Sequence, residues 1–463
     1  MSRTRTILSV ILAVAFVASA CSDAPADTTT TTFPETTTTS VPDTTTTTLD
    51  PEAGFKIGPG VDLDAKTIRI GYLADLTGPF APLVSEVTDA QAVYWDTVNE
   101  GGGIDGWTVE VVLKDTNYRE QQHIVAYEEI RDSVAAIGQS AGSSTSASAL
   151  DLYAEDDMLV LPLSWYSGWA FPAVDRGLLL ESGTNYCFEA MNMVEFVSEN
   201  EASTMAIITL ANDYGLDAAA GARIGADYYG ISIVHDAIGA LEPGEDLTPV
   251  IQGLVDSQAE WAFLATNATM SAEIMALSAQ LGYEGLFIGS QPSYDHRLLD
   301  SASAELFDTR FFHSVYTVPW GHDAAGNAVM MTALAEAYPD RRPSDAFIIG
   351  WNTSVLLREV LEIAISSTDL SRFGIVAAAA SLAEVDYDGS QPTEGYVGTP
   401  AEHAIRASAI AKPTLEVYLE AGGASQTLSS GTGTTGSVLV RDFSVSAAAA
   451  AHGFTVPCHL PEG

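Results

Sequence analysis

Basic side chains are scarce in this 463-residue chain. Nineteen Lys+Arg (19) stand against 61 Asp+Glu, for a formal net charge of -42 at pH 7, and only four are lysine: Lys56, Lys66, Lys114 and Lys412. A surface so acidic repels phosphate backbones, which excludes nucleic acid as a partner. The acidic residues are spread along the chain rather than clustered, the pattern of a solvated surface in a salty habitat. Cysteine is nearly missing, with 3 residues, Cys21, Cys187 and Cys458. There is no Cys-x-x-Cys pair, no histidine pair at helical spacing and no calcium-loop pattern, so the sequence calls for neither a metal nor a cofactor. Long apolar runs are lacking as well: the uncharged stretch 7–17 is too short for a permanent membrane span, and no later segment reaches that length.

What is present is apolar material, 47% of residues, enough for sizeable cores in two or three domains. Arg3 and Arg5 precede the 7–17 run, and Ala18, Ser19, Ala20 and Cys21 follow it. This is the layout of a removable export signal over 1–20. The cysteine directly after small residues resembles a bacterial lipobox, with Ala18 where leucine is usual; the resemblance implies cleavage before Cys21, a lipid on it, and a place on the outer face of the cell membrane. Threonine tracts at 28–32, 36–39 and 44–48, broken by Pro34 and Pro42, cannot bury a core. Residues 21–54 therefore read as a stalk whose hydroxyls are open to glycosylation. With Cys21 assigned to lipid, Cys187 and Cys458 are left in an oxidising setting, which favours one disulfide over two buried thiols.

From Thr67 onward, period-two strands alternate with period-3.6 helices. Strands read at 67–72, 107–113, 134–137 and 158–163, with helices between them; the pattern then restarts with strands at 204–210, 231–234, 261–265 and 286–289. Such alternation implies two successive α/β units with parallel sheets, whose ligands sit beyond the carboxyl ends of the strands. At the end of the 134–137 strand, Ser143, Ser144, Thr145 and Ser146 open a helix, offering N–H and hydroxyl donors to a carboxylate or simply capping that helix. The matching loops of the second unit carry Asp213, Tyr214, Asn267 and Gln291.

Ile68-Arg-Ile-Gly-Tyr-Leu-Ala-Asp-Leu-Thr-Gly-Pro-Phe80, Val98-Asn-Glu-Gly-Gly-Gly-Ile-Asp-Gly106, the 138–148 loop, Asp213-Tyr-Gly215 and Gly282 through Ser290 together resemble the type I periplasmic solute-binding proteins, specifically the branched-chain amino acid (Leu/Ile/Val) binding proteins of ABC importers. The resemblance covers nearly all of 66–400. It implies two Rossmann-like lobes joined by three crossing segments, 64–188 plus 318–396 forming one lobe and 189–317 plus 397–463 the other, with a solute enclosed between them. It implies a monomer that serves permease and ATPase subunits and meets the membrane only through its lipid. In that family the loop that is here Ser143, Ser144 and Thr145 holds the carboxylate of an amino acid. The region of Trp165 and Ser167, together with a second-lobe glutamate, holds the ammonium. Tyr214 matches a family tyrosine, a second family tyrosine falls near Asn267, and the glutamate position falls on Gln291. Without that carboxylate a buried ammonium has no counter-charge, at a cost of several kcal/mol, so a standard zwitterionic amino acid is disfavoured and the expected solute is a small amino-acid-like molecule, such as an aromatic or aliphatic acid, an amide or a urea-like solute. Phe80, Trp165, Tyr166 and Trp169 are placed to line the cleft or to pack a lobe.

Two other readings compete. Gly138-Gln-Ser140-Ala-Gly142 is a formal Gly-x-Ser-x-Gly, so a serine hydrolase using Ser140 is conceivable, given a histidine at the same sheet edge. A ligand-sensing ectodomain would use the same two lobes without passing cargo on. The preferred reading is capture of a solute without chemistry.

Overall fold

In the computed structural model, residues 54–460 are described, apart from 243 and 432, together with the backbone of Thr48–Leu49. The export-signal, Cys21 and threonine-tract expectations lie outside the described residues. Two sheets organise the rest. In the first, β1 (Thr67–Ala74), β2 (Thr108–Asp115), β3 (Ala136–Ala141) and β4 (Val160–Leu163) lie in the order β2-β1-β3-β4, all parallel. The alternation read from the sequence is the pleat of β1: Ile68, Ile70 and Tyr72 are buried, and Tyr72 accepts the indole proton of Trp95 at 2.8 Å. Helix α1 (Ala81–Glu100) covers one face and packs on α2 (Ala346–Ser366), drawn from far along the chain. Their backbones meet at Gly350, where a Cβ would lie 2.2 Å from the carbonyl of Val87, so only glycine permits this approach.

The second sheet has the order β11-β10-β9-β8-β7-β5-β6. Its parallel part comprises β5 (Thr204–Leu210), β6 (Ser232–Leu241), β7 (Trp261–Ala265), β8 (Leu286–Gly289) and β9 (Phe311–Val315). β10 (Ser408–Pro413) and β11 (Ser437–Ser444) extend it antiparallel, an addition that the period-two pattern upstream did not announce. β7, with Ala262, Phe263 and Leu264 fully buried, is an interior strand covered on both faces.

The chain passes between the sheets through 180–185, 316–320 and 391–407, and these segments bond to one another. Gln391 Nε2 donates to the carbonyl of Ser182 at 3.1 Å, the Tyr396 hydroxyl to that of Glu181 at 3.0 Å, and the Thr184 hydroxyl to that of Ala407. The Val318 N–H donates to the carbonyl of Ser390 at 2.9 Å, which links the second crossing to the start of the third, so the three together form the hinge. Cys187 and Cys458 form a disulfide, closing a span of 271 residues and holding the C-terminal tail against the second lobe. No described helix is long and apolar enough to cross a membrane.

Candidate functional site

The carboxyl ends of both sheets face one another, and the side chains between them are mostly aromatic. In the first lobe, Asp75 fixes the loop after β1, its carboxylate accepting from the N–H groups of Gly78 at 2.6 Å and Phe80 at 2.9 Å, which brings the Phe80 ring over the gap. Gly142, with φ of 96°, turns the chain from β3 into the 143–148 helix; a Cβ there would lie 2.5 Å from the Tyr118 ring. In the second lobe three asparagines start the helices. Asn185, Asn212 and Asn267 accept from the N–H three residues on, at 3.0, 3.0 and 2.9 Å, and so set α3 (Tyr186–Glu199), α4 (Asp213–Tyr229) and α5 (Ala268–Gln280).

Between the lobes lies a narrow cavity of about 20 Å³, lined from one side by Phe80, Tyr118, Gly142, Leu163 and Trp165 and from the other by Tyr186, Tyr214 and Pro292. The rings form a chain across it: Phe80 to Tyr118 at 4.7 Å, Phe80 to Tyr214 at 6.4 Å, Tyr186 to Tyr214 at 4.5 Å, Trp165 to Tyr186 at 6.0 Å. No charged side chain lines it, and the buried indole N–H of Trp165 has no acceptor in the protein. A wider groove, bordered by Asn117, Ser144 and Thr145 opposite Ala211, Asn212 and Glu242, shares Phe80 and Tyr118 with the cavity and forms its mouth.

The residues singled out from the sequence fall into two groups. Phe80, Trp165 and Tyr214 are in the cavity wall, and Ser144 and Thr145 border its mouth. The other side chains are engaged within the protein. Ser143 bonds the Ser164 hydroxyl at 2.6 Å, and Thr145 donates to the carbonyls of Ala141 and Gly142. Asn267 spends its oxygen on the α5 cap. Gln291 Oε1 accepts from the Tyr316 N–H at 3.3 Å in the hinge. Ser167 gives its N–H and hydroxyl to Asp217 of α4, at 2.9 and 2.6 Å, so it ties the lobes together rather than facing the cavity.

Sequence reasoning missed Tyr118, Tyr186, Pro292 and Glu189. Tyr118 stands just past the carboxyl end of β2, where the strand-end rule could have found it. Glu189 is an acid in the otherwise apolar run Cys187 to Met193 with the exception of Asn192, and that mismatch was the available signal. It is 3% exposed, accepts from the Gln291 N–H at 2.6 Å, and burial pushes its carboxyl up to about 8, so it is neutral at pH 7. Burial likewise raises Asp217 to about 7 in spite of its donors.

Ser140 does find a histidine. Its hydroxyl lies 3.2 Å from His123 Nε2 and 2.7 Å from the Ser146 hydroxyl. The group is sealed in the first lobe: Ser140 and His123 are 0% exposed, burial lowers His123 to about 3, and its Nδ1 meets no carboxylate. A nucleophile needs access to a substrate and an oriented base, and this cluster has neither. It is a packed polar knot under β3.

Two hinged α/β lobes around an enclosed cavity define the class of solute-binding proteins that close on their cargo. The periplasmic binding protein family model matches residues 67–415, and the chain belongs to that family. Among solved structures, a fatty acid ABC transporter substrate-binding protein from Thermomonospora curvata is similar at TM-score 0.78 and 24% identity, covering 88% of this chain and 98% of that one. A branched-chain amino acid ABC transporter protein from Thermus thermophilus with bound valine gives 0.69 and 16%, covering 82% and 97%. The branched-chain amino acid transporter substrate binding protein LivJ from Streptococcus pneumoniae, in complex with isoleucine, gives 0.64 and 17%, covering 75% and 97%. Comparison with curated protein sequences gives no match.

Proposed function

We propose that this protein is the extracytoplasmic binding component of an ABC importer, held at the outer membrane face by a lipid on Cys21. It closes on a small, largely apolar solute carrying a carboxylate or amide oxygen and releases it unchanged to a permease. The observation that carries this reading is the composition of the cavity: aromatic walls from both lobes and no charged side chain among its lining residues. An ammonium enclosed there would lack a counter-charge, because Gln291 is an amide and Glu189 is held neutral. A carbonyl or carboxylate oxygen, in contrast, finds at the mouth the first N–H groups of the 143–148 helix. The similar structure named for fatty acids fits this class, an apolar body with a carboxylate and no ammonium, whereas those with valine and isoleucine hold amino acids whose ammonium this reading excludes. Closure is driven by contacts between the lobes, namely Ser167 with Asp217, and by those of the solute with both walls.

Thermal-shift titration of the mature chain tests this. Short aliphatic or aromatic carboxylates and their amides raise the melting temperature, and Trp165→Phe weakens that effect, since a ligand at 100 times its Kd stabilises by about 2.7 kcal/mol. A rise with leucine, isoleucine or valine and none with the corresponding des-amino acids or amides would overturn the neutral-solute reading. No effect of Trp165→Phe or Tyr214→Ala on any ligand would overturn the site.

A further inference from the structure

A second cavity, bordered by the hinge segments, is the larger of the two at about 220 Å³. Its walls come from the chain around Leu178 and Glu181, which runs into the first crossing, from the helix Arg372–Ser381 through Val376 and Ala379, and from the third crossing through Tyr396 and His403. The lining is apolar apart from four side chains. Of these, Asp175 is satisfied by the N–H groups of Gly177 and Leu179, at 2.9 and 3.1 Å, and the Tyr396 hydroxyl donates to Glu394 and to the carbonyl of Glu181. Glu181 is different. No hydrogen bond reaches its carboxyl, and Oε1 is buried without a donor. No lysine or arginine lines the cavity; burial first, and then the carboxyls of Asp217, Asp175 and Glu394, push Glu181 well above the ordinary glutamate value, and burial keeps His403 below the ordinary histidine value.

A buried carboxyl with no donor is a standing cost that natural proteins remove by pairing. An ammonium brought against it would displace the proton that burial favours on the carboxyl and supply the charge-assisted donor it lacks, and the surrounding apolar surface suits a hydrocarbon body. We propose that this cavity binds an amphiphilic organic amine, its ammonium on the Glu181 carboxyl and its hydrocarbon body against Leu178, Val376 and Ala379. The site is separate from the cleft and does not depend on the solute assigned there. Because it is walled by two of the three crossings, an occupant braces the hinge.

The probe is n-octylamine, titrated calorimetrically into the mature disulfide-bonded chain at pH 7, with n-octanol and octanoate as isosteric controls. Octylamine binds at least about tenfold more tightly than octanol, the scale of one charge-assisted hydrogen bond, and octanoate more weakly still. Glu181→Gln removes that preference, Val376→Trp abolishes binding by filling the cavity, and Phe80→Ala in the cleft leaves octylamine binding unchanged. Equal affinity for octylamine and octanol, undiminished octylamine binding by Glu181→Gln, or its loss in Phe80→Ala would each overturn the proposal. Glu181→Gln is near-isosteric, so it decides the matter even if Val376→Trp fails to fold.

Discussion

Replacing Glu189 by glutamine tests the claim that the cleft is backed by a neutral acid. Glutamine keeps the shape, and its Oε1 still accepts the Gln291 N–H that Glu189 accepts at 2.6 Å. What it removes is the proton. In the folded chain burial holds the Glu189 carboxyl up to about 8, against an ordinary value of 4.5 in the unfolded chain. Between those values the folded state keeps a proton that the unfolded state has lost, so its contribution to stability is complete below 4.5 and drains away as pH rises toward 8. The slope is up to about 1.4 kcal/mol for each pH unit, and between pH 5 and 8 the loss reaches about 4 kcal/mol for a group this deeply buried. Glu189→Gln has nothing to lose over this interval. Urea unfolding of both proteins at pH 5 and pH 8 reads the difference directly: near parity at pH 5, and the variant more stable by a few kcal/mol at pH 8. The same stability difference at both pH values would mean that Glu189 is ionised throughout. The cleft would then have a counter-charge for an ammonium, and the argument for a neutral or acidic solute would fail with it.

Three further perturbations follow from the geometry. Ser167→Ala deletes the hydroxyl bond to Asp217 across the lobes and opens the closed form by about 1–3 kcal/mol; small-angle scattering with a bound solute reports a larger radius and a solute affinity at least several-fold weaker, whereas an unchanged radius and affinity would show that this bond does not hold the lobes. Gly142→Ala strains a residue at φ of 96° and drives a methyl group into the Tyr118 ring, so it lowers stability by about 1–3 kcal/mol and impairs solute binding; calorimetry indistinguishable from the parent refutes it. Cys187→Ser with Cys458→Ser frees the tail and costs about 2–5 kcal/mol, read as a fall in melting temperature that reducing agent reproduces in the parent but not in the double variant.

Much of the fold was written in local patterns. Strands at 204–210, 261–265 and 286–289 begin and end where period and glycine place them, because a strand buried on both faces has to be a continuous apolar run. The strand at 231–234 was read too short. Its register runs on to Leu241 through alternating exposed positions at the sheet edge, where burial no longer stamps a pattern on the sequence. The cysteine arithmetic left Cys187 and Cys458 as the candidate pair, and the chain brings them together.

The cleft was legible only in outline. Phe80, Trp165 and Tyr214 could be placed because strand-end loops of a parallel sheet converge on one side, and the sequence alone determines which residues sit in such loops. Which way each side chain turns depends on the partners that folding supplies. Ser167 is captured by Asp217, 50 residues away, Gln291 by the hinge at Tyr316, and Asn267 by its own helix, while Tyr118 and Tyr186 enter the wall unannounced. Hydrogen bonding and burial are settled pair by pair between distant segments, and those pairs exist only once the two lobes have been brought face to face.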